Sequence, residues 1–272
     1  MEKLVITVAT TGAVTSRKEH PEIPLHPGEI AESVYEAYRA GAAVAHIHVR
    51  DDAGDPSMSL DKFRETVELV REKCDIILNL TTSGGRGLPL TDEDRFAHLA
   101  LKPEMCSMDC GTMNFGERIF SNSPQFLRKL GKAALAAGVK PEIEVFDTAF
   151  ITNALRLAQE GCLAEPLHFQ FVLGVRGGMD ATPENLLFLL RQVPAGSTWS
   201  VIGIGKGHLP LSAMALHMGG HVRVGMEDNV LYRRRTPVKN NAQFVERIVR
   251  LAEEFERPVA TVAEARKILG LA

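Results

Sequence analysis

Short apolar runs alternate with helical segments eight times along the chain, and this rhythm limits the fold more than any other feature. The runs are Leu4–Ala9, Val44–Val49, Ile76–Leu80, Met105–Cys110, Pro141–Phe146, Leu167–Leu173, Trp199–Ile202 and His221–Val224. Each has strand length and stops at a polar or glycine-bearing loop. Apolar residues at helical spacing mark the intervening segments: Ile30, Val34 and Tyr38 in Pro27–Ala40, and Phe63, Val67 and Val70 in Asp61–Arg71. Further helices are expected over Asp92–Leu101, Pro124–Ala137, Ala149–Glu160, Thr182–Arg191, Pro210–Met218 and Ala242–Phe255. Thr182 followed by Pro183 is an N-terminal signal, and Gly138 a C-terminal one. Near-continuous apolar strands indicate a parallel sheet covered on both faces. Eight such units in 272 residues predict an α/β fold, the (β/α)8 TIM barrel. A doubly wound sheet would show a glycine-rich fingerprint after its first strand, and Thr10-Thr11-Gly12-Ala13 is not one. No linker or repeat interrupts the chain. Residues 1–272 therefore read as a single barrel domain, with Thr261–Leu271 as a short C-terminal helical extension.

Charge narrows the partners. Lys and Arg total 31 against 34 Asp and Glu, so the chain has no electrostatic case for nucleic acid or an anionic membrane. The four cysteines form no CxxC and read as reduced, buried thiols. No apolar run approaches the roughly 18 residues of a membrane span. The opening MEKLVITVATTG reads as a strand rather than a signal peptide. A cytoplasmic, soluble protein is the expectation.

In a barrel of this kind the chemistry sits where the strands end. There the sequence places His46-Ile47-His48, Thr81-Thr82-Ser83-Gly84-Gly85-Arg86, Ser107 with Asp109, Glu142 with Glu144, and Glu227-Asp228. Residues i and i+2 of a strand share a face, so His46 and His48 can converge on one metal ion; a hydrogen-bonded pair at the barrel mouth is the plainer alternative. Glu227, after the eighth strand, is a candidate third ligand from across the mouth. Arg223 lies within an apolar strand and needs a partner, for which Asp228 is the natural candidate. Of the two strand-five glutamates, Glu144 is nearer the C-terminal end. The glycines at 84–85, 177–178, 203, 205 and 207 permit close backbone approach to a phosphate, and Lys206 beside them suits a phosphate contact. His208 reads as a helix cap.

The motifs TTGA, HIHVRDD, TSGG, LKPEM, GTMNFG, PEIEVFD, FVLGVRGGM, GIGKGH and GMEDNV together resemble the β-keto acid cleavage enzymes, in order and over essentially the whole chain. The resemblance implies a zinc-bound barrel, assembled as a homotetramer. It implies an acyltransferase reaction in which a β-keto acid and acetyl-CoA give acetoacetate and the CoA ester of the remaining fragment. It places the metal on His46, His48 and Glu227, makes Asp228 the general base with Arg223 as its partner, and puts Glu144 beside the metal. Substrate contacts fall on Val14, Thr82, Gly85, Ser107 and Asp109, and CoA contacts on Gly177, Gly205 and Lys206. Thr82 and Ser107 are exchanged in type relative to members acting on an aminated acid, which keeps a hydroxyl at each place.

One departure bears on substrate. In those members a glutamate in the first loop meets the substrate ammonium; here Val14 stands at that place. A buried ammonium beside valine costs several kcal/mol. The expected substrate is a 3-oxo acid with an apolar or neutral tail. Arg86 or Arg17 pairing a second carboxylate, and an aromatic cage around a quaternary ammonium, are the variants. Other classes also use such a barrel. A metal-dependent hydrolase would need further histidines, of which His168 and His208 are the candidates. A CoA-ester carbon–carbon lyase would need no second substrate, and a binding barrel would not depend on His46.

Overall fold

In the computed structural model, which describes residues 2–84 and 88–271, the apolar runs close into a parallel eight-stranded barrel. The strands are β1 (Ile6–Ala9), β2 (Val44–Ile47), β3 (Ile77–Leu80), β4 (Met105–Asp109), β5 (Lys140–Val145), β6 (His168–Leu173), β7 (Thr198–Gly203) and β8 (His221–Val224). Neighbours in the chain are neighbours in the sheet, and β8 closes on β1 with Thr7 opposite Arg223.

The helices are α1 (Pro27–Ala40), α2 (Leu60–Lys73), α3 (Pro124–Ala137), α4 (Thr148–Gln159), α5 (Pro183–Leu190), α6 (His208–Met218), α7 (Asn241–Glu254) and α8 (Val262–Ile268). Their starts are written in the sequence. Ser123, Thr182, Asn240 and Thr261 each accept a hydrogen bond from a backbone N–H in the first turn. The expected helix over Asp92–Leu101 is replaced by a 3-10 turn at Ala97–Leu101. Thr91 and Asp94 bond to each other, and Arg95 is pulled out to Thr82, Ser121 and Asn122. Lys102 then takes a left-handed conformation before Pro103, which ends the turn.

Two apolar clusters hold the barrel. The larger lies between the strands and their helices and includes Ile6, Val8, Ile47, Phe63, Leu80, Phe169, Phe171 and Phe244. Each such side chain contributes about 1.5–3 kcal/mol on burial. The smaller plugs the N-terminal end of the barrel: Val5, Ala43, Val44, Ile77 and Met105 meet Ala260, Ala265 and Leu269 from the α8 region. The C-terminal extension is thus a floor. Lys140, at the start of β5, donates to the Leu269 carbonyl and fastens it.

Between floor and mouth the lumen is polar. Asn79, Glu142, His168, Gln170, Ser200 and His221 are all buried there. Every second residue of a strand faces inward, so an apolar outer face and a polar inner face coexist in one strand. Short antiparallel hairpins follow β2, β4 and β8, pairing Val49–Arg50 with Pro56–Ser57, Met113–Phe115 with Arg118–Phe120, and Leu231–Arg233 with Thr236–Pro237. No helix among the described residues is long and apolar enough to cross a membrane.

Candidate active site

β2 carries His46 and ends at Ile47, and His48 is the next residue. Their rings lie 5.1 Å apart. Glu227 arrives from the turn after β8, and its Oε1 lies 3.6 Å from His46 Nε2 and 3.2 Å from His48 Nε2. Ligands about 2.0–2.2 Å from a tetrahedral ion sit roughly 3.3–3.6 Å from one another. The three residues bring their ligand atoms within 4.8 Å of each other. Glu227 Oε2 is buried without a hydrogen-bond partner. Burial, with the Arg223 charge, pushes His46 down to about 3, so its imidazole is neutral and able to ligate. Two neutral imidazoles and a carboxylate suit a divalent transition metal, and the donor set fits one.

Gly225 makes this turn possible. Its φ is +153°, and a Cβ would strike the Ala9 carbonyl at 1.9 Å. Two amides then clamp the turn. Asn229 donates to the Gly203 carbonyl and accepts from Gly205 N–H. Asn241 accepts from Met226 N–H and donates to the Thr10 carbonyl and Ser33. Glu227 and Asp228 are therefore held by backbone and amide contacts from three loops.

Arg223 is the counter-ion of the mouth. Its guanidinium bonds Asp228 through Nε at 3.0 Å and NH2 at 3.1 Å, Glu227 at 2.8 Å and Glu144 at 2.6 Å. Asp228 was the partner expected; Glu144 and Glu227 are additional. Glu144 also shares a hydrogen bond with Asp109, its neighbour across β4 and β5. Burial, then the Asp109 charge, raises Glu144 well above its ordinary value, and burial raises Asp109 as well, so the pair favours sharing one proton. Burial pushes Asp228 up to about 6 against the pull of Arg223. Burial opposes ionisation of Glu227 too, but Arg223 and the two histidines hold it well below the usual range. With one proton shared between Glu144 and Asp109, the carboxylates around Arg223 still carry more negative charge than it neutralises, which is what a divalent cation would balance.

The sequence profile of the β-keto acid cleavage enzymes matches residues 3–271. The chain belongs to that family. It is 47% identical over 273 residues to the 3-keto-5-aminohexanoate cleavage enzyme of Acetoanaerobium sticklandii, covering 100% of this chain and 99% of the relative. It is 37% identical over 270 residues to the 3-oxoadipate:acetyl-CoA acetyltransferase of Cupriavidus necator, covering 98% and 94%. Among solved structures, apo ObcA superposes with a TM-score of 0.80 at 23% identity, over 92% of this chain and 66% of ObcA, a likeness of fold.

The remaining residues expected at the site fall in two groups. Thr82 and Ser107 are cross-linked: the Thr82 hydroxyl donates to the Ser107 carbonyl at 2.8 Å, and Thr82 N–H donates to Ser107 Oγ at 3.2 Å. The Thr82 hydrogen is committed, whereas Ser107 spends only its acceptor. Asp109 is buried on β4 with Oδ2 unpartnered. Gly85 and Arg86 lie outside the described residues. Val14 is 44% exposed in the loop after β1. Arg50 ties that loop down by donating to the carbonyls of Gly12, Thr15 and Gly54.

Gly177 has φ +103° and packs on the Asn114 carbonyl, which any Cβ would strike at 1.8 Å. Gly205 opens a 3-10 turn, with Lys206 exposed beside it. His208 is buried and begins α6, with its ring 5.0 Å from that of Phe244. It ligates nothing. The sequence reading missed Arg50, Arg95, Asn229 and Asn241. Asn229 and Asn241 flank the acidic turn, and GMEDNV and NNAQ carried that signal unread.

Proposed function

We propose that the chain is a zinc-dependent β-keto acid cleavage enzyme. It converts a 3-oxo acid and acetyl-CoA into acetoacetate and a new acyl-CoA. The observation that carries the reading is the His46, His48 and Glu227 donor set lying against a base, Asp228, held bidentate by Arg223.

Zinc, when bound, supplies Lewis acidity that lowers the cost of negative charge on the 3-oxo acid. Asp228 removes a proton from the carbon between the acid's two carbonyls. Its carboxyl, raised to about 6, is matched to proton transfer near neutral pH. Arg223 fixes the Asp228 carboxylate in place. Ser107 retains a hydroxyl hydrogen for a substrate oxygen, and the Glu144–Asp109 pair lines the same mouth. The carbanion forms a bond to the thioester carbonyl of acetyl-CoA. The CoA sulfur passes to the acid's ketone carbon, and the bond from that carbon to the former carbanion carbon breaks. Asp228 returns its proton to the departing acetoacetate. The CoA phosphates are placed against Lys206 and the exposed backbone of Gly177 and Gly205.

Val14 directs the substrate's tail. It offers no carboxylate to an ammonium, and Arg17 is engaged by both oxygens of Glu29, at 2.5 and 2.6 Å. A neutral or apolar tail is the match. A homotetramer is consistent with large apolar side chains left on the surface, Ile119 at 75% exposure and Phe188 and Leu231 at 50%.

Purified protein mixed with acetyl-CoA and a panel of 3-oxo acids, with and without chelator, tests the reading by mass analysis of CoA esters. A new acyl-CoA with acetoacetate, lost on chelation and greatest for neutral tails, is expected. Val14→Glu should shift preference toward the aminated acid by roughly tenfold or more, the effect of one partly exposed charge pair of about 1–2 kcal/mol. No new thioester from any acid, in protein that carries metal, would overturn it.

A further inference from the structure

Below the mouth sits a carboxylate that the chemistry above does not use. Glu142 lies on the lumen face of β5, in the layer beneath Glu144, and is 1% exposed. Its Oε1 accepts from Asn79 Nδ2 at 2.7 Å. Its Oε2 faces His168 Nε2 in a long contact of 3.4 Å and has no closer partner. His168 is itself fixed, with Nδ1 against Thr198 Oγ1 at 2.8 Å and Nε2 against Ser200 Oγ at 3.3 Å. Ser200 donates onward to Gln170. This is a positioned anion with one oxygen only loosely engaged.

Directly above it, His46 turns Nε2 toward Glu227 and leaves Nδ1 buried with no partner. His46 and Asn79 are opposite each other across β2 and β3, so the amide that holds Glu142 stands beside the histidine. His46, Glu142 and Glu144 bring one ligand-type atom each within 4.8 Å of one another. The two residues that carry these orphan atoms, His46 with Nδ1 and Glu142 with Oε2, are thus close neighbours in the lumen. A histidine that binds metal through one nitrogen almost always gives its other N–H to a carboxylate, a carbonyl or a water.

We propose that Glu142, held by Asn79 and His168, is the carboxylate behind His46: it accepts a hydrogen bond from Nδ1–H, directly or through one water, and so fixes the tautomer that leaves Nε2 for the metal. Glu142 is then a positioning residue. It touches neither substrate nor CoA. The inference rests on the metal reading above, and its test is a binding measurement rather than turnover.

Zn2+ affinity of metal-free wild type and Glu142→Gln, measured by competition with a chromophoric chelator, reads the effect directly. Glutamine keeps the size and the Asn79 bond and removes the charge. A loss of affinity of about 10–100-fold is expected, with the melting temperature of the metal-free protein near wild type and an altered visible spectrum of the Co2+ form. Asn79→Ala, which loosens Glu142 but keeps it charged, should weaken binding by less and serves where Glu142→Gln does not fold. Wild-type affinity in either folded variant overturns the inference alone. Wild type that binds no Zn2+ overturns the metal reading and the inference together.

Discussion

The two ends of the barrel are built on opposite principles. At the N-terminal end, Val5, Ile77, Met105, Ala265 and Leu269 exclude water and make no specific demand on one another beyond fit. At the C-terminal end, Arg223 holds Glu144, Glu227 and Asp228 in one network, and each partner is meaningful only because the others are there. Burying such charges costs several kcal/mol each, which the ion pairs and hydrogen bonds only partly return. The floor stabilises; the mouth is stabilised by the rest. The difference teaches where each kind of substitution should register.

The largest effect separating the ends is expected from Asp228→Asn. It keeps the size and one acceptor for Arg223 but removes the base. kcat should fall by about 10²–10⁴-fold, while Zn2+ content and the urea midpoint stay near wild type. An active variant would return Asp228 to the scaffold. The converse substitution is Leu269→Ala in the floor. Leu269 is 1% exposed, and truncating it should cost about 2–4 kcal/mol by urea melting, from lost burial and the cavity left behind. kcat/KM of the folded variant should not move. If it does, floor and mouth are mechanically coupled and the division fails.

Legibility in the sequence follows the same division. Strand and helix order was readable because apolar periodicity and caps such as Thr182 and Ser123 act locally. His46 and His48 were readable because residues i and i+2 of an extended chain share a face, and the chain stays on course just past the end of β2 at Ile47. Glu227 was readable as a donor but not as a neighbour, since it meets the histidines only after the barrel closes. The Arg223–Glu144 bond spans 79 residues and depends on the same closure. The polar lumen was hidden in plain alternation: His168-Phe169-Gln170-Phe171 reads as an apolar run, yet its inner positions are polar. The segment Asp92–Leu101 failed for a different reason. Its helical pattern was outweighed by one arginine, Arg95, drawn to acceptors on two other loops and stacked 3.8 Å over Phe126.

The smallest expected effect sharpens the comparison by using a titratable group that belongs to neither end. His98 lies in the outer layer, stacked on Phe63 at 4.4 Å, with both ring nitrogens buried and unpartnered. Burial pushes it down to about 3 from an ordinary 6.5. In the unfolded chain the imidazole takes a proton as pH falls through 6.5, whereas the folded protein refuses it until about 3. The unfolded state therefore binds more protons across that window, and stability falls as pH falls. At pH 5 the loss from this one group is about 2 kcal/mol relative to pH 7. His98→Phe should remove that part of the acid sensitivity, so the difference between urea midpoints at pH 7 and pH 5 should shrink. Turnover at pH 7 should be unchanged, because the ring faces helix and not mouth. An unaltered pH dependence would mean that His98 is not held neutral, and that the acid sensitivity resides in the carboxylates around Arg223 instead.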